Sequence, residues 1–294
     1  MTVHYRSAAV AGVQVAYREA GNAANPPLLL LHGFPASSFS YRHLMTALAD
    51  RFHLIAPDYP GFGNSPAPNP DAWPYTFDHL ADTVEGLVDH LGLSHFGLYM
   101  HDYGAPVGFR LALRRPIAVD FLVIQNGNAY EEGFTGVWDG MRNALWQNRS
   151  PETEKPLHAF FEPDGIKWIY TGGTRDPERI SPDNWNLDLA VLAKPNARRI
   201  NLDLFYDYRT NAELYPVWQE YLRRHEPATL IVWGANDPIF RSEGAEAYLR
   251  DVPHAELHFL DSGHFALEDH GEEIAGLIRA FHTTRVARAV SSAA

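Results

Sequence analysis

Apolar residues along this chain fall into two alternating patterns. Runs at 28–32, 52–56, 96–100 and 121–124 are almost continuously apolar, short, and read as buried strands. Residues 13–19 read as a further strand, and Asn25-Pro26-Pro27 and Gly33 punctuate the run at 28–32. Between the runs, residues 42–49, 77–91 and 105–113 have helical character. The clearest case places Phe77, Leu80, Ala81, Val84, Leu87, Val88 and Leu91 on one helical face, with Thr76 positioned to cap it. Continuous apolar strands separated by helices predict an α/β protein with a mostly parallel sheet covered on both faces.

The alternation stops at Tyr130. From there to about His225 the chain is rich in Trp, Tyr, Asp, Asn and Pro, with short helical pieces and no convincing strand. Strands resume at 230–233 and 257–260, an amphipathic helix closes the pattern at 272–283, and residues 286–294 look frayed. The expected organisation is a core in two parts, 1–129 and 227–294, with a helical insertion at 130–226 between them. Such an insertion is either structural padding or a lid over the carboxyl edge of the sheet, where α/β proteins bind ligands. The lid is the sharper expectation.

Composition removes several function classes. A net charge of −12 argues against nucleic acid and against an anionic membrane surface as partners. The chain has no cysteine, so disulfides, thiolate metal sites and cysteine nucleophiles are excluded. The first residues lack the basic start and apolar run of a signal peptide, and no apolar stretch approaches the roughly 18–20 residues of a membrane span. A cytoplasmic protein is expected. His254 and His258 do not share a helix as a metal pair would, and Gly61, Gly63 and Ser65 lack the lysine and helix of a phosphate loop. Neither a metal nor a cofactor is expected.

The chemistry gathers at strand ends. The segment "LYMHDYGAPVG" at 98–108 carries Asp102 from a buried strand into a helix. A carboxylate there is costly to desolvate unless something pairs with it. The setting is that of a nucleophile elbow, the strand-to-helix turn that in many hydrolases holds serine in G-x-S-x-G. Here the centre is Asp102 and Met100 stands for the first glycine. An ionised carboxylate can attack carbon directly and form an ester on the enzyme. Its alternative role is a helix N-cap. Asp237 follows the strand at 230–233 and His264 follows the strand at 257–260, preserving the order nucleophile, acid, histidine. An imidazole oriented by a carboxylate can activate the water that hydrolyses such an ester. Gly33 lets the backbone turn so that the N–H of Phe34 points toward the elbow. With the N–H of Tyr103 it would form an oxyanion hole. His32 is expected to brace that loop.

The motifs "HGFP" at 32–35, "DYPGFGNS" at 58–65, "HDYG" at 101–104, "GANDP" at 234–238 and "GHF" at 263–265 resemble the α/β-hydrolase superfamily, in its epoxide hydrolase and haloalkane dehalogenase branch with an aspartate nucleophile. The resemblance implies an α/β-hydrolase fold with a helical cap, Asp102 as nucleophile, His264 as base, Asp237 as its acid, and Phe34 and Tyr103 as oxyanion donors. It also implies what should receive the leaving group. Dehalogenases of this branch hold the halide with a tryptophan after the nucleophile and commonly a polar residue after "HG", where this chain has Tyr103 and Phe34. Fluoroacetate dehalogenases place arginines where this chain has Tyr103 and Pro106. Epoxide hydrolases use two lid tyrosines as acids. "DLFYDYRTN" resembles the segment that carries one of them, which makes Tyr208 the first candidate. Leu204, Tyr208, Ala212 and Tyr215 would share one helical face, so plain packing is its alternative. Tyr170 is the second candidate, with Tyr130 as its rival.

The expected function is therefore cofactor-free hydrolysis of an epoxide to a vicinal diol. Haloalkane dehalogenation by the same triad, or a ligand receptor that kept the fold, are the alternatives. The expected partners are a small, largely apolar electrophile and water, in a monomer or homodimer.

Overall fold

The apolar runs pair into one sheet in a computed structural model that describes residues 2–286. Its strands are β1 (His4–Val10), β2 (Val13–Ala20), β3 (Pro27–Leu31), β4 (His53–Pro57), β5 (Phe96–His101), β6 (Val119–Gln125), β7 (Ala228–Gly234) and β8 (Glu256–Leu260). They lie in the order β1-β2-β4-β3-β5-β6-β7-β8. All pairs from β4 through β3 to β8 are parallel, whereas β1–β2 and β2–β4 are antiparallel. β1 is a strand that hydrophobic patterning does not reveal. It is an edge strand in which only Ala8 and Val10 are buried, so it carries no apolar run.

Helices cover both faces. The first three are α1 (Arg42–Leu48), α2 (Phe77–His90) and α3 (Gly104–Arg114). Alternate residues of β3 divide between two cores: Leu29 and Leu31 join the cluster containing the apolar faces of α2 and α3, and Leu28 and Leu30 join the one containing α1. A strand buried on both sides must be apolar at every position, which is why β3 reads as an unbroken leucine run. α2 forms on the expected stripe, and the Thr76 side chain accepts a hydrogen bond from the His79 N–H.

Between β6 and β7 the chain forms α4 (Pro151–Glu154), α5 (Pro163–Thr171), α6 (Pro182–Leu192), α7 (Ala197–Asp207) and α8 (Arg209–His225), with short 3-10 and π turns. α9 (Ser242–Ala247) follows β7, and α10 (Gly271–Phe281) follows β8 and packs against α1. The continuous helix expected through Leu204, Tyr208, Ala212 and Tyr215 is broken: Tyr208 lies at the joint between α7 and α8. The core fixes that joint. Asp207 Oδ2 accepts from the Phe77 N–H of α2 at 2.8 Å. Arg110 of α3 donates to Asn211 Oδ1 at 2.6 Å, to Thr210 Oγ1 at 3.0 Å and to Asp78 Oδ1 at 2.7 Å. Among the described residues no helix is long and apolar enough to cross a membrane. The frayed end expected at 286–294 lies, past Val286, outside the described residues.

The site is positioned by topology. β3 and β5 are neighbours, yet the chain leaves β3 for β4 on one side and reaches β5 on the other. Their carboxyl ends flank a topological switch point, where the connecting loops diverge and leave a crevice.

Candidate active site

The turn after β5 is strained where the chemistry is expected. Asp102 adopts φ +51, in the left-handed region that non-glycine residues seldom occupy. Its neighbours must be small. A Cβ on Gly33 would lie 2.2 Å from Asp102 Cβ, and one on Gly104 would lie 2.0 Å from the Leu31 carbonyl oxygen. Gly104→Ala therefore forces the elbow off β3. A loss of about 1–3 kcal/mol is expected for such overpacking. Urea denaturation measures it, and wild-type stability in the variant would contradict the packing described.

Asp102 does not cap α3. The N-cap position is Tyr103, without a side-chain capping bond, and Asp102 Oδ1 instead accepts the Phe34 N–H at 2.7 Å across the β3–β5 boundary. Its other oxygen, Oδ2, lies 3.6 Å from His264 Nε2. His264 Nδ1 donates to Asp237 Oδ2 at 2.8 Å. Asp237 is held in turn by the Ile239 N–H at 2.7 Å and by Asn126 Nδ2 at 2.8 Å. Three side chains from the ends of β5, β7 and β8 thus form one buried chain of contacts, as the sequence predicts.

Asn126 is a member that sequence reasoning missed. It follows β6 with φ +43, and its Oδ1 accepts the Gly234 N–H at 3.0 Å, so it ties the end of β6 to the Asp237 turn. An asparagine directly after a buried strand and before Gly127 was the available signal, because asparagine tolerates the left-handed region. His32 braces its loop as expected: Nε2 accepts the Tyr59 N–H at 3.2 Å, which leaves Nδ1–H for the Gly33 carbonyl at 3.0 Å. His101 Nε2 donates to the His264 carbonyl at 3.0 Å. Burial and the nearby His264 push the His101 pKa down to about 3, so that ring stays neutral.

Electrostatics couple His264 to both carboxylates. Burial disfavours its charged form, but the charge of Asp237 and the contact with Asp102 outweigh that and raise its pKa from 6.5 to about 10. Asp102 is also penalised by burial, yet the bond to His264, the histidine's charge and the Phe34 N–H bring its pKa below the ordinary value. A raised folded-state pKa stabilises the fold fully below about pH 6.5 and ceases to do so as pH climbs through about 10. The stability of wild type relative to His264→Gln should accordingly fall between those two pH values. Denaturant titrations across that range test this, and a difference that stays flat with pH would rule out the coupling.

The tyrosine candidates separate. Tyr208 is fully buried, and apart from a loose approach to the Tyr215 phenol its hydroxyl has no hydrogen-bond partner. Its ring sits 4.5 Å from that of Trp138 and 6.2 Å from that of Tyr103. Tyr170 and Tyr130 do not fit the acid role. Tyr170 donates to Asp188 Oδ2 at 2.6 Å and Tyr130 to Asp251 Oδ2 at 2.6 Å. Their hydroxyl protons are committed to buried carboxylates.

That cavity is about 30 Å³ and mostly apolar. Asp102, His264, Phe34 and Tyr103 form its floor, and Trp138, Met141, Phe160 and Phe205 from the β6–β7 insertion close it. The Trp138 indole N–H is not free to hold a ligand, since it donates to the Ile239 carbonyl at 3.0 Å.

Comparison with known proteins shows the family of the fold. Residues 26–271 match the model of a family described as the alpha/beta hydrolase fold. The chain belongs to the alpha/beta hydrolase family. Among relatives of this hydrolase, an uncharacterized hydrolase of Saccharomyces cerevisiae is 44% identical over 267 residues, covering 90% of this chain and 91% of the relative. A cis-3-alkyl-4-alkyloxetan-2-one decarboxylase of Shewanella oneidensis is 30% identical over 274 residues, covering 87% of this chain and 82% of the relative. Among solved structures, an epoxide hydrolase at 22% identity and a Bradyrhizobium elkani haloalkane dehalogenase at 25% each match with a TM-score of 0.78, over 96% of this chain and 99% of theirs. The α/β-hydrolase fold expected from the motifs is thereby shown, and the hydrolase is related to epoxide hydrolases and haloalkane dehalogenases.

Proposed function

We propose that this α/β-hydrolase opens small apolar epoxides to vicinal diols through an ester on Asp102, with residues 130–226 serving as the lid. The observation that carries the choice is the buried hydroxyl of Tyr208, which makes no close hydrogen bond and whose ring packs against Tyr103 and Trp138 at the edge of the Asp102 cavity. Leaving such a group without a partner costs about 1–3 kcal/mol, which is understandable if a substrate oxygen supplies the acceptor. A departing halide has different needs. The nearby indole N–H of Trp138 is bound to a carbonyl, and the side chains of Phe34 and Tyr103 offer no N–H.

The two oxygens of Asp102 divide the work. Oδ2 attacks a ring carbon, forming a C–O bond while the ring C–O bond breaks and its electron pair passes to the ring oxygen. A tyrosine hydroxyl gives that oxygen a proton. Oδ1 becomes the ester carbonyl, already facing the Phe34 N–H, and the adjacent Tyr103 N–H is the second oxyanion donor. While Asp102 is ionised, its charge favours the proton on His264. Esterification removes that charge, so the ring gives up its proton more readily and Nε2 can take one from water. Hydroxide adds to the ester carbonyl, the alcohol leaves with a proton, and Asp102 is restored. The complete triad is hard to reconcile with a receptor that has lost turnover.

The Shewanella relative favours one second reading. An oxetan-2-one is also a strained oxygen ring, so the same nucleophile and hydroxyl donors suit it. The discriminating experiment presents purified protein with short-chain epoxides, haloalkanes and a cis-3,4-dialkyloxetan-2-one, and measures diol, halide and carbon dioxide. Diol formation should dominate, and Tyr208→Phe should slow it by roughly 10²-fold, within the range expected for a lost acid. Faster halide or carbon dioxide release, or an unimpaired Tyr208→Phe enzyme, would displace the epoxide reading.

A further inference from the structure

We propose that the Tyr103 side chain is itself a catalytic hydrogen-bond donor, its phenol O–H meeting the leaving oxygen from the core side while Tyr208 meets it from the lid. The assignment rests on the epoxide reading and supplies the second donor that Tyr170 and Tyr130 cannot. Among the described residues, several buried side-chain polar atoms have no hydrogen-bond partner, and Tyr103 Oη is the one whose residue lines the Asp102 cavity. The residue is 2% exposed, so water does not satisfy that hydroxyl from bulk solvent.

Position and rigidity suit the role. Tyr103 follows the nucleophile on the strained turn and is the N-cap residue of α3, so its backbone is fixed with the elbow. Edge-on packing against Phe77, at 5.0 Å between ring centres, holds the ring on the α2 side. Phe77 also packs edge-on against Tyr208 at 5.5 Å, so one ring supports both tyrosines. Burial, and then the charge of Asp102, raise the pKa of Tyr103. Burial leads the rise at Tyr208, followed by the neighbouring Tyr215 and then the charge of Asp102. Both phenols therefore stay protonated and able to donate.

The step balances. As Asp102 Oδ2 bonds to the ring carbon, the ring oxygen receives the electron pair and takes the Tyr103 proton. The phenolate regains a proton from the His264 imidazolium, which leaves that ring neutral and ready to act on water. Water then supplies the proton that restores the imidazolium. Over the cycle only epoxide and water are consumed.

Tyr103→Phe removes the hydroxyl and keeps the ring and the backbone N–H. Because the hydroxyl has no partner, its loss should leave the melting temperature unchanged or raised, whereas a structural hydroxyl would lower it. In a His264→Gln background, the rate of ester formation from 1,2-epoxyhexane should fall by about 10–10²-fold when Tyr103→Phe is added. Equal rates overturn the assignment and leave the epoxide reading intact. If His264→Gln protein forms no ester with any epoxide, the epoxide reading fails, and hexanamide decides the Tyr103 question. Its carbonyl accepts a hydrogen bond but offers no ring to open. Calorimetric affinity about tenfold weaker in Tyr103→Phe than in wild type supports the donor, consistent with the loss of one hydrogen bond. Equal affinity, or no binding to either protein, overturns it.

Discussion

Asp102→Ala should reduce turnover by about 10⁵–10⁶-fold, to near the background rate, because it removes the atom that forms the bond. The fold should survive. The alanine Cβ occupies the place of the aspartate Cβ, and the residue loses a buried charge along with one bond from the Phe34 N–H and one contact to His264. The variant should therefore show native circular dichroism, bind substrate analogues and form no covalent species. If His264 instead activated water for direct attack on the epoxide, Asp102→Ala would retain a large part of the activity. Steady-state rates with the best epoxide of the panel separate the two.

His264→Gln should have the second-largest effect and a different signature. Glutamine cannot accept and release a proton as imidazole does, so ester hydrolysis should slow by about 10⁴-fold or more, while attack by Asp102 continues. Rapid mixing should show one equivalent of epoxide consumed and then almost none. Asp102→Ala should show no such burst. The contrast places one residue in each half of the reaction, which a pair of merely structural residues would not produce. Loss of the burst in folded His264→Gln, with wild type active on the same epoxide, would contradict a covalent first step on Asp102.

The contact chain of Asp102, His264 and Asp237 was legible because each member follows a strand that announces itself. β5 and β7 are largely apolar runs, with Asp102 directly after the first and Asp237 three residues past the second; β8 is less buried, yet "LDSGHF" still marks its end. The β3 loop was legible for the same reason, and the Phe34 N–H does reach Asp102. Features that depend on contacts between distant segments were not. β1 is mostly exposed and has no hydrophobic signature. The spacing of Leu204, Tyr208, Ala212 and Tyr215 fits a helix, and periodicity alone cannot register the break that Asp207 and Arg110 impose from the core side. Tyr170 and Tyr130 sit in a plausible segment, but the carboxylates that claim their hydroxyls, Asp188 and Asp251, are 18 and 121 residues away. Nothing local distinguishes a phenol with such a partner from one without. Tyr103 shows the converse: its backbone role could be read from position, whereas the absence of a partner for its hydroxyl is visible only once the cavity is assembled.

Whether Asp102 is the nucleophile is decided by a mass measurement. His264→Gln protein is mixed with 1,2-epoxyhexane, its intact mass is taken, and the modified peptide is mapped. One adduct per chain is expected, heavier by the whole mass of the epoxide and located on Asp102. Folded protein that turns over the epoxide in wild-type form, yet shows no adduct or carries it on another residue, would contradict Asp102 as the nucleophile.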